Sequence, residues 1–316
     1  MEQKLIVSAS PHLRSGATTQ KIMLDVIIAL APAAVASVIL FGPRALLLMA
    51  VSVASCVVCE YICRRVLKRP QTVNDLSAVV TGLLLAFNLP PEINPLVAVF
   101  GAVVAIVGVK QMFGGIGQNF VNPALTARII LMTSFPTRMT TWTAPFAYMN
   151  GEADAMTTAT PLALSAQGAT DSLPGLLQMF LGVRGGCLGE TCALALLLGG
   201  IYLVARRVIS PVIPVCYLGT AAVFSLLLGR NVLFDLMAGG LLLGAFFMAT
   251  DYTTSPLTVK GKVIYGIGCG LLTMLIRVFG SLPEGVSFSI VLMNILVPLI
   301  ERISRPKPFG KEEVRS

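Results

Sequence analysis

Long apolar runs follow one another through this chain with too few charges between them for water to be its solvent. Only 12% of the 316 residues are charged and 55% are hydrophobic, where a soluble domain carries about 25% charged residues. Each charge left in lipid costs about 2.5–3.5 kcal/mol on insertion scales, which selects this composition. In hydrocarbon the backbone must satisfy its own hydrogen bonds, so the expected fold is an all-α polytopic membrane protein. A spanning helix needs about 20 apolar residues. Ten candidate runs meet or approach this: 22–41, 44–63, 76–89, 95–112, 123–134, 191–206, 211–228, 234–250, 262–280 and 286–301. The third and fifth are too short to cross alone. They abut "NLPPEINP" (88–95) and "GGIGQNFVNPA" (114–124), so short or broken helices backed by protein or a polar cavity are expected there.

The net charge of +8 does not point to nucleic acid, because the basic residues stand in short clusters between apolar runs. Arg64, Arg65, Lys68 and Arg69 form one, Arg206 and Arg207 another, and Arg302, Arg305, Lys307 and Lys311 a third. Positive residues are retained on the cytoplasmic side, so the N- and C-termini are expected inside, in a bacterial or archaeal cytoplasmic membrane, with an even number of spans. Lys110 counts with the inner charges, and Arg44, Arg138, Arg184 and Arg230 with the sparser outer ones. No cleavable signal peptide is expected in the polar stretch 1–21. Five runs precede the loop 135–190 and five follow it, so equivalent halves would insert in opposite directions. Asp75-Leu76 before "GLLLAF" (82–87) is echoed by Asp235-Leu236 before "GLLLGAF" (240–246). The expected organisation is a cytoplasmic segment 1–21, a first five-helix repeat 22–134, an extracytoplasmic loop 135–190, a second, inverted five-helix repeat 191–301 and a cytoplasmic tail 302–316. A site between inverted repeats is the usual consequence.

Ionisable residues inside or at the ends of the runs are candidates for ion coupling: Asp25, Glu60, Asp235, Asp251 and Arg277. Asp251 in "ATDYTTSP" ranks first, with Asp235. Asp25 and Glu60 lie close enough to an interface to snorkel, as does Arg277 at the outer end of the ninth run. In the break at 114–124, Asn119 and Asn122 and the backbone amides can face a phosphate or flavin edge, with Arg128 one turn later. The alternative is a re-entrant packing element. Cys56, Cys59 and Cys63 share one helical face, which reads as a packing stripe or, with a fourth ligand, as part of an iron–sulfur set. Cys187 and Cys192 flank a Gly-rich turn. No metal site is expected.

Two threonines compete for a covalent role. "SGAT" at 15–18 is the core of a signal for esterification of threonine by the phosphate of flavin mononucleotide (FMN), and "TTAT" at 157–160 is a looser version. Thr18 lies four residues before the first run, flanked by Arg14 and Lys21, and suits a helix cap at Ser15 or Thr18. Thr160 lies in the long outer loop. "NGEADAMTTAT" (150–160) is polar and expected to be accessible to a modifying enzyme, and Pro161 fixes the chain just beyond it.

"SPHLRSGATTQKIMLDVIIALAP" (10–32), "FGGIGQNFVNPA" (113–124), "DAMTTATPLA" (154–163), "GCLGET" (186–191) and "FFMATDYTTSP" (246–256) stand together in one order. By these five motifs, spread over essentially the whole chain, it resembles the RnfD subunits of Rnf electron-transport complexes, which are related to the NqrB subunit of the sodium-pumping NADH:quinone reductase. The resemblance implies an attachment motif at Asp154, Thr157, Thr158, Ala159 and Thr160, with FMN on Thr160. Thr157 stands where the commoner pattern has serine and Thr158 where it has glycine, adding bulk beside the target hydroxyl. The resemblance also implies a second, non-covalent flavin (riboflavin), a flavin transferase for the modification, and the other Rnf subunits as partners within the lipid bilayer.

The chain shows no Gly-rich dinucleotide motif, no four-cysteine cluster and one histidine, His12. Partners must therefore supply the ends that meet NADH or ferredoxin, and the resemblance implies that the chain works as one component of an ion-translocating (Na+ or H+) ferredoxin:NAD oxidoreductase, relaying electrons rather than completing the reaction alone. The competing reading is a flavin-free channel or carrier with the same inverted architecture, since fold does not fix function.

Overall fold

A computed structural model describes residues 18–149, 159–166, 173–280 and 284–305. All ten apolar runs are helical over most of their length. Thr18 caps the first, accepting from Lys21 N at 3.3 Å, as its placement before "QKIML" leads one to expect. Helix α1 (Thr19–Phe41) ends at Gly42, whose φ of 77° favours glycine. Pro43 then opens α2 (Pro43–Val66) at a position where its missing N–H costs nothing. α3 (Ser77–Phe87) and α4 (Pro95–Val103) follow, the latter running on as a π-helix over Val104–Gln111. α5 (Pro123–Ser134) starts at Asn122, whose Oδ1 accepts from Ala124 N and Leu125 N.

The segment between the halves holds, among the described residues, only short helices: α6 (Pro136–Met139), a 3-10 turn (Ala147–Met149), α7 (Pro161–Ala166) and α8 (Leu176–Leu181). The second half comprises α9 (Ala193–Ala205), α10 (Val212–Leu227), α11 (Val232–Met237), α12 (Leu241–Leu243), α13 (Val259–Phe279) and α14 (Val286–Ser304). Among the described residues four helices, α1, α2, α13 and α14, are long and apolar enough to cross a membrane. The run 234–250 is not one helix. It breaks after α11, restarts as α12 and continues as a π-helix over Gly244–Met248. "GLLLGAF" carries one residue more than "GLLLAF". A π turn is the form in which a helix absorbs a single inserted residue, and such turns gather at functional sites.

The helices pack as a bundle, α1 on α9, α2 on α3 and α4, α10 on α13, and α5 on α14. Small residues allow the close approaches, as lipid-embedded packing favours. A Cβ on Gly199 would lie 2.1 Å from the Ala29 carbonyl oxygen, and one on Gly270 would lie 2.8 Å from that of Tyr217. Val35, Val58, Leu226 and Ile303 are among many exposed apolar side chains on the outer helices. Such a surface suits lipid contact. The protein is a multi-pass membrane protein.

Several charges expected at interfaces are instead internal. Glu60 is fully buried and takes Lys110 Nζ at 2.7 Å and Thr72 Oγ1 at 2.7 Å, so neither Glu60 nor Lys110 is a snorkelling or loop charge. Arg277 is also buried, with Nη1 donating to Asp235 O at 2.7 Å and Nη2 to Ala238 O at 2.9 Å. Arg184, counted above as an outer-loop charge, is buried as well. Asp25 is tied to α9 by Tyr202 Oη at 2.9 Å and Arg206 at 3.5 Å. Lys110, ending the fourth element of the first half, donates to Ser77 Oγ at 2.6 Å at the start of the third element. Arg277, near the end of α13, reaches α11 by a main-chain contact instead, donating to the Asp235 carbonyl.

Candidate functional site

A cavity of 370 Å³ opens between the halves, walled by Met23 and Val26 of α1, Thr81 and Leu84 of α3, and Phe246 and Phe247. Its polar groups are few and include Lys110, Asn119, Asn122 and Asp251. The break at 114–124 thus brings Asn119 and Asn122 to the same space as Asp251. Asn122 Nδ2 donates to Met248 O at 3.3 Å, bracing the π turn of the other half. Asp251 is held by its own turn, accepting from Thr253 Oγ1 at 2.9 Å and Thr254 Oγ1 at 3.2 Å. Apolar walls with a few convergent polar groups, at this volume, are the signature of a small-molecule site.

Arg128 does not join this cavity. It emerges from α5 into a second buried cluster. Nη1 donates to Asn88 Oδ1 at 2.7 Å, Nη2 pairs with Glu284, and Cys187 Sγ lies 3.5 Å from Nη2. Asn88 sits where α3 stops. The freed carbonyls there are met by the segment "GCLGET": Gly189 N donates to Phe87 O at 3.1 Å and Leu188 N to Leu89 O at 3.1 Å. Gly189 is required for this contact, since a Cβ would lie 2.2 Å from Phe87 Cβ. The pairing carries Arg184 and Glu190 inward. Arg184 donates to the carbonyls of Glu190 at 2.8 Å and Thr191 at 3.3 Å, and Glu190 Oε1 accepts from Cys187 N at 3.1 Å. Burial lifts the Glu284 carboxyl to about 7, with Arg128 pulling it back down. Burial also holds the Cys187 thiol well above its usual range and draws the Arg184 guanidinium down. Cys187, Glu190 and Glu284 bring ligand atoms within 4.8 Å of one another. Arg128 already contacts that group, and a cation would compete with its charge.

Leu162, two residues after Thr160, reaches Gly239 at the edge of this second cluster, where Arg277 also lies. Thr160 is 5% exposed, not open as the polar loop around it suggests. The reason is local: Thr160 Oγ1 accepts from Ala163 N at 3.2 Å to cap α7, and Leu162 packs with Met179, Phe234 and Ala238. Arg230 bridges Ser165 Oγ at 3.2 Å and the Asp235 carboxylate at 2.9 Å. Asp235 also accepts from Ser225 Oγ at 2.7 Å, so it is part of a closed ion pair that docks α7. Ala159 is exposed, while Asp154, Thr157 and Thr158 lie outside the described residues. Gly239 separates the Leu162 side chain from Arg277, and Gly240 faces Glu190 and Arg128.

Sequence reasoning does not bring Asn88, Arg184, Glu190, Arg277 and Glu284 together as one group. Their signal is the presence of polar and charged residues in otherwise Gly-rich or apolar stretches. The free cysteines Cys56, Cys59 and Cys63 lie on α2, with Cys56 fully buried in the main core and Cys59 packed against it, as a packing stripe requires.

The profile of the NQR2, RnfD, RnfE family matches residues 6–310. The chain belongs to that family. It is 51% identical to the D component of the Na+-translocating ferredoxin:NAD+ oxidoreductase complex of Acetobacterium woodii, over 99% of this chain and 98% of the relative. It is 44% identical to the D component of the proton-translocating ferredoxin:NAD+ oxidoreductase complex of Clostridium ljungdahlii, over 96% of each chain. Against the D component of the ion-translocating oxidoreductase complex of Stutzerimonas stutzeri the identity is 40%, over 93% of each. The resemblance to RnfD subunits drawn from the five motifs therefore holds along the whole family match.

Proposed function

We propose that the chain is the flavin-carrying membrane component of an ion-translocating ferredoxin:NAD oxidoreductase complex. It serves as one part of that enzyme and relays electrons through FMN joined by its phosphate to Thr160. What supports the reading is that Thr160, the last threonine of the attachment motif, opens α7, whose Leu162 reaches Gly239 beside the buried Arg277 guanidinium. The fit of the group to these residues rests on buried N–H donors left without partners there, Arg128 Nε, Arg184 Nη1 and Arg277 Nε. When bound, a flavin supplies one- and two-electron storage, while the protein sets its position and field. Thr160 provides the ester oxygen. Because its hydroxyl is buried as a cap, the α7 segment must undock for a flavin transferase to reach it.

The second, non-covalent flavin, riboflavin, is assigned to the 370 Å³ cavity, whose Asn119 and Asn122 would meet its polar edge and whose Phe246 and Phe247 would wall it. Asp251 in the same cavity is the favoured ion-coupling residue. The echo of Asp75-Leu76 and "GLLLAF" by Asp235-Leu236 and "GLLLGAF" supports inverted repeats. With the basic clusters inside, the termini are cytoplasmic and Thr160 faces outward. The other Rnf subunits then supply the ferredoxin and NAD ends. Relatives named for Na+ and for protons are both similar to this chain, so either ion fits the reading.

The test is in-gel fluorescence of the denatured full chain made with its transferase. A fluorescent band is expected for the wild type and for Thr18→Ala, and none for Thr160→Ala. Persistence of the band in Thr160→Ala would refute the site, and a colourless wild type that conducts a solute in liposomes would favour the carrier.

A further inference from the structure

The buried cluster at the end of α3 is unbalanced in charge. Three guanidinium groups enter it, Arg128, Arg184 and Arg277, only 3%, 5% and 6% exposed. Two carboxylates answer them, Glu190 and Glu284. Arg128 pairs directly with Glu284 and stands 3.9 Å from Glu190, too far for a hydrogen bond. Arg184 and Arg277 have no carboxylate of their own among the described residues. All four hydrogen bonds they make to this framework end on main-chain carbonyl oxygens, of Glu190, Thr191, Asp235 and Ala238. The Asp235 side chain is taken by Arg230. Carbonyl dipoles satisfy N–H groups but do not cancel a buried charge, which is costly unless paired.

Three donors in this cluster are also idle: Arg128 Nε, Arg184 Nη1 and Arg277 Nε are buried and without a hydrogen-bond partner, as is one acceptor, Glu190 Oε2, which stands 3.9 Å from Arg128. Unmet buried donors on cations specify a missing acceptor that carries negative charge. The path to such an acceptor is visible at Gly239, where a Cβ would lie 2.7 Å from Leu162 Cδ1 and 3.3 Å from Arg277 Nη2. Leu162 is two residues beyond Thr160.

We propose that Arg184 and Arg277 hold the phosphodiester linking the flavin to Thr160, and that its single negative charge completes the cluster. This rests on the covalent reading above and adds to it two positioning residues and a reason for the attachment point. A phosphate diester keeps one ionised oxygen, an acceptor of the kind that guanidinium groups without a carboxylate of their own require. Free phosphate has the same chemistry, so the experiment must separate the two sources.

The full-length chain in detergent is prepared with and without the flavin transferase, and its thermal midpoint is read from the loss of monodisperse protein on size exclusion. Attachment is expected to raise the midpoint of the wild type. That rise is expected to fall to less than half in Arg277→Gln and in Arg184→Gln, and to persist in Arg277→Lys, which keeps the charge. Comparing the rise within each variant removes any general loss of stability. A fluorescent band with an undiminished rise in both glutamine variants would overturn the proposal while leaving the attachment reading intact. Absence of the band in wild type would remove both. If 10 mM inorganic phosphate, roughly a saturating level for a weak anion site, raised the midpoint of unmodified wild type and of Thr160→Ala by as much as attachment does, the site would be one for free anion and the assignment would fail.

Discussion

Replacing Arg128 by methionine tests whether the buried cluster holds the two halves of the molecule together. Arg128 reaches Asn88 with Nη1 at 2.7 Å and Glu284 with Nη2, so one planar fork ties α5 to the end of α3 and to the loop before α14. Removing it leaves the Glu284 and Glu190 carboxylates without their nearest cation and Asn88 Oδ1 without a donor. Breaking a buried ion pair from one side costs about 3–5 kcal/mol, and an unmet buried acceptor about 1–3 kcal/mol. These overlap, because the orphaned carboxylate escapes by taking a proton. A loss of about 4 kcal/mol is expected at pH 8, shrinking toward pH 5. Arg128→Met with Glu284→Gln removes both charges and should recover at least half of the loss. Arg128→Lys should fall between, since a point charge cannot span both acceptors. Equilibrium unfolding in mixed micelles measures all three. A loss under about 1 kcal/mol at pH 8, or a double variant as unstable as the sum of the singles, would refute the assignment of the cluster as a structural tie.

Two further outcomes follow from single contacts. Burial lifts Glu284 from 4.5 to about 7, so the stability it contributes is present below pH 4.5 and is lost as pH rises through 7. The shift corresponds to about 3 kcal/mol over that window, and unfolding of Glu284→Gln across the same pH range should show no such decline. Gly199→Ala places a methyl 2.1 Å from the Ala29 carbonyl oxygen. Separating α1 from α9 should cost at least about 1–3 kcal/mol, read as a lower midpoint and a smaller monodisperse yield, and an unchanged midpoint would show that the helices do not meet there.

The helices are legible because their signals are local. Apolar run length gives α1, α2, α13 and α14 directly, and the prolines and glycines at 88–95 and 114–124 announce that α3 and α5 stop short. Thr18 as a cap needs only its neighbours. The break in the run 234–250 is marked by Gly239-Gly240, with φ 61° at Gly239, a signal that reading the run by its apolar length passes over, and Arg277 fixes it by taking the Ala238 carbonyl at 2.9 Å. The charged cluster is hidden for a different cause. Asn88, Arg128, Arg184, Glu190, Arg277 and Glu284 are scattered over almost two hundred residues, and no periodicity links them. The motif points to Thr160, but the polarity of the loop before it suggests an open hydroxyl where the structure has a buried one, since that polarity says nothing of what Leu162 will pack against.

Lys110 and Arg277 are balanced differently, and under the proposed function that difference suits their surroundings to different work. In the first half Lys110 meets a carboxylate, Glu60, at 2.7 Å, and Ser77 passes the contact to Asp75. This pair is self-contained, so the cavity beside it is left with Asp251 as its acidic group. In the second half Arg277 meets only carbonyl oxygens, and its charge remains open toward the Thr160 segment. A site that must stay neutral while a cation passes suits the first arrangement, and one built to receive a fixed anion suits the second.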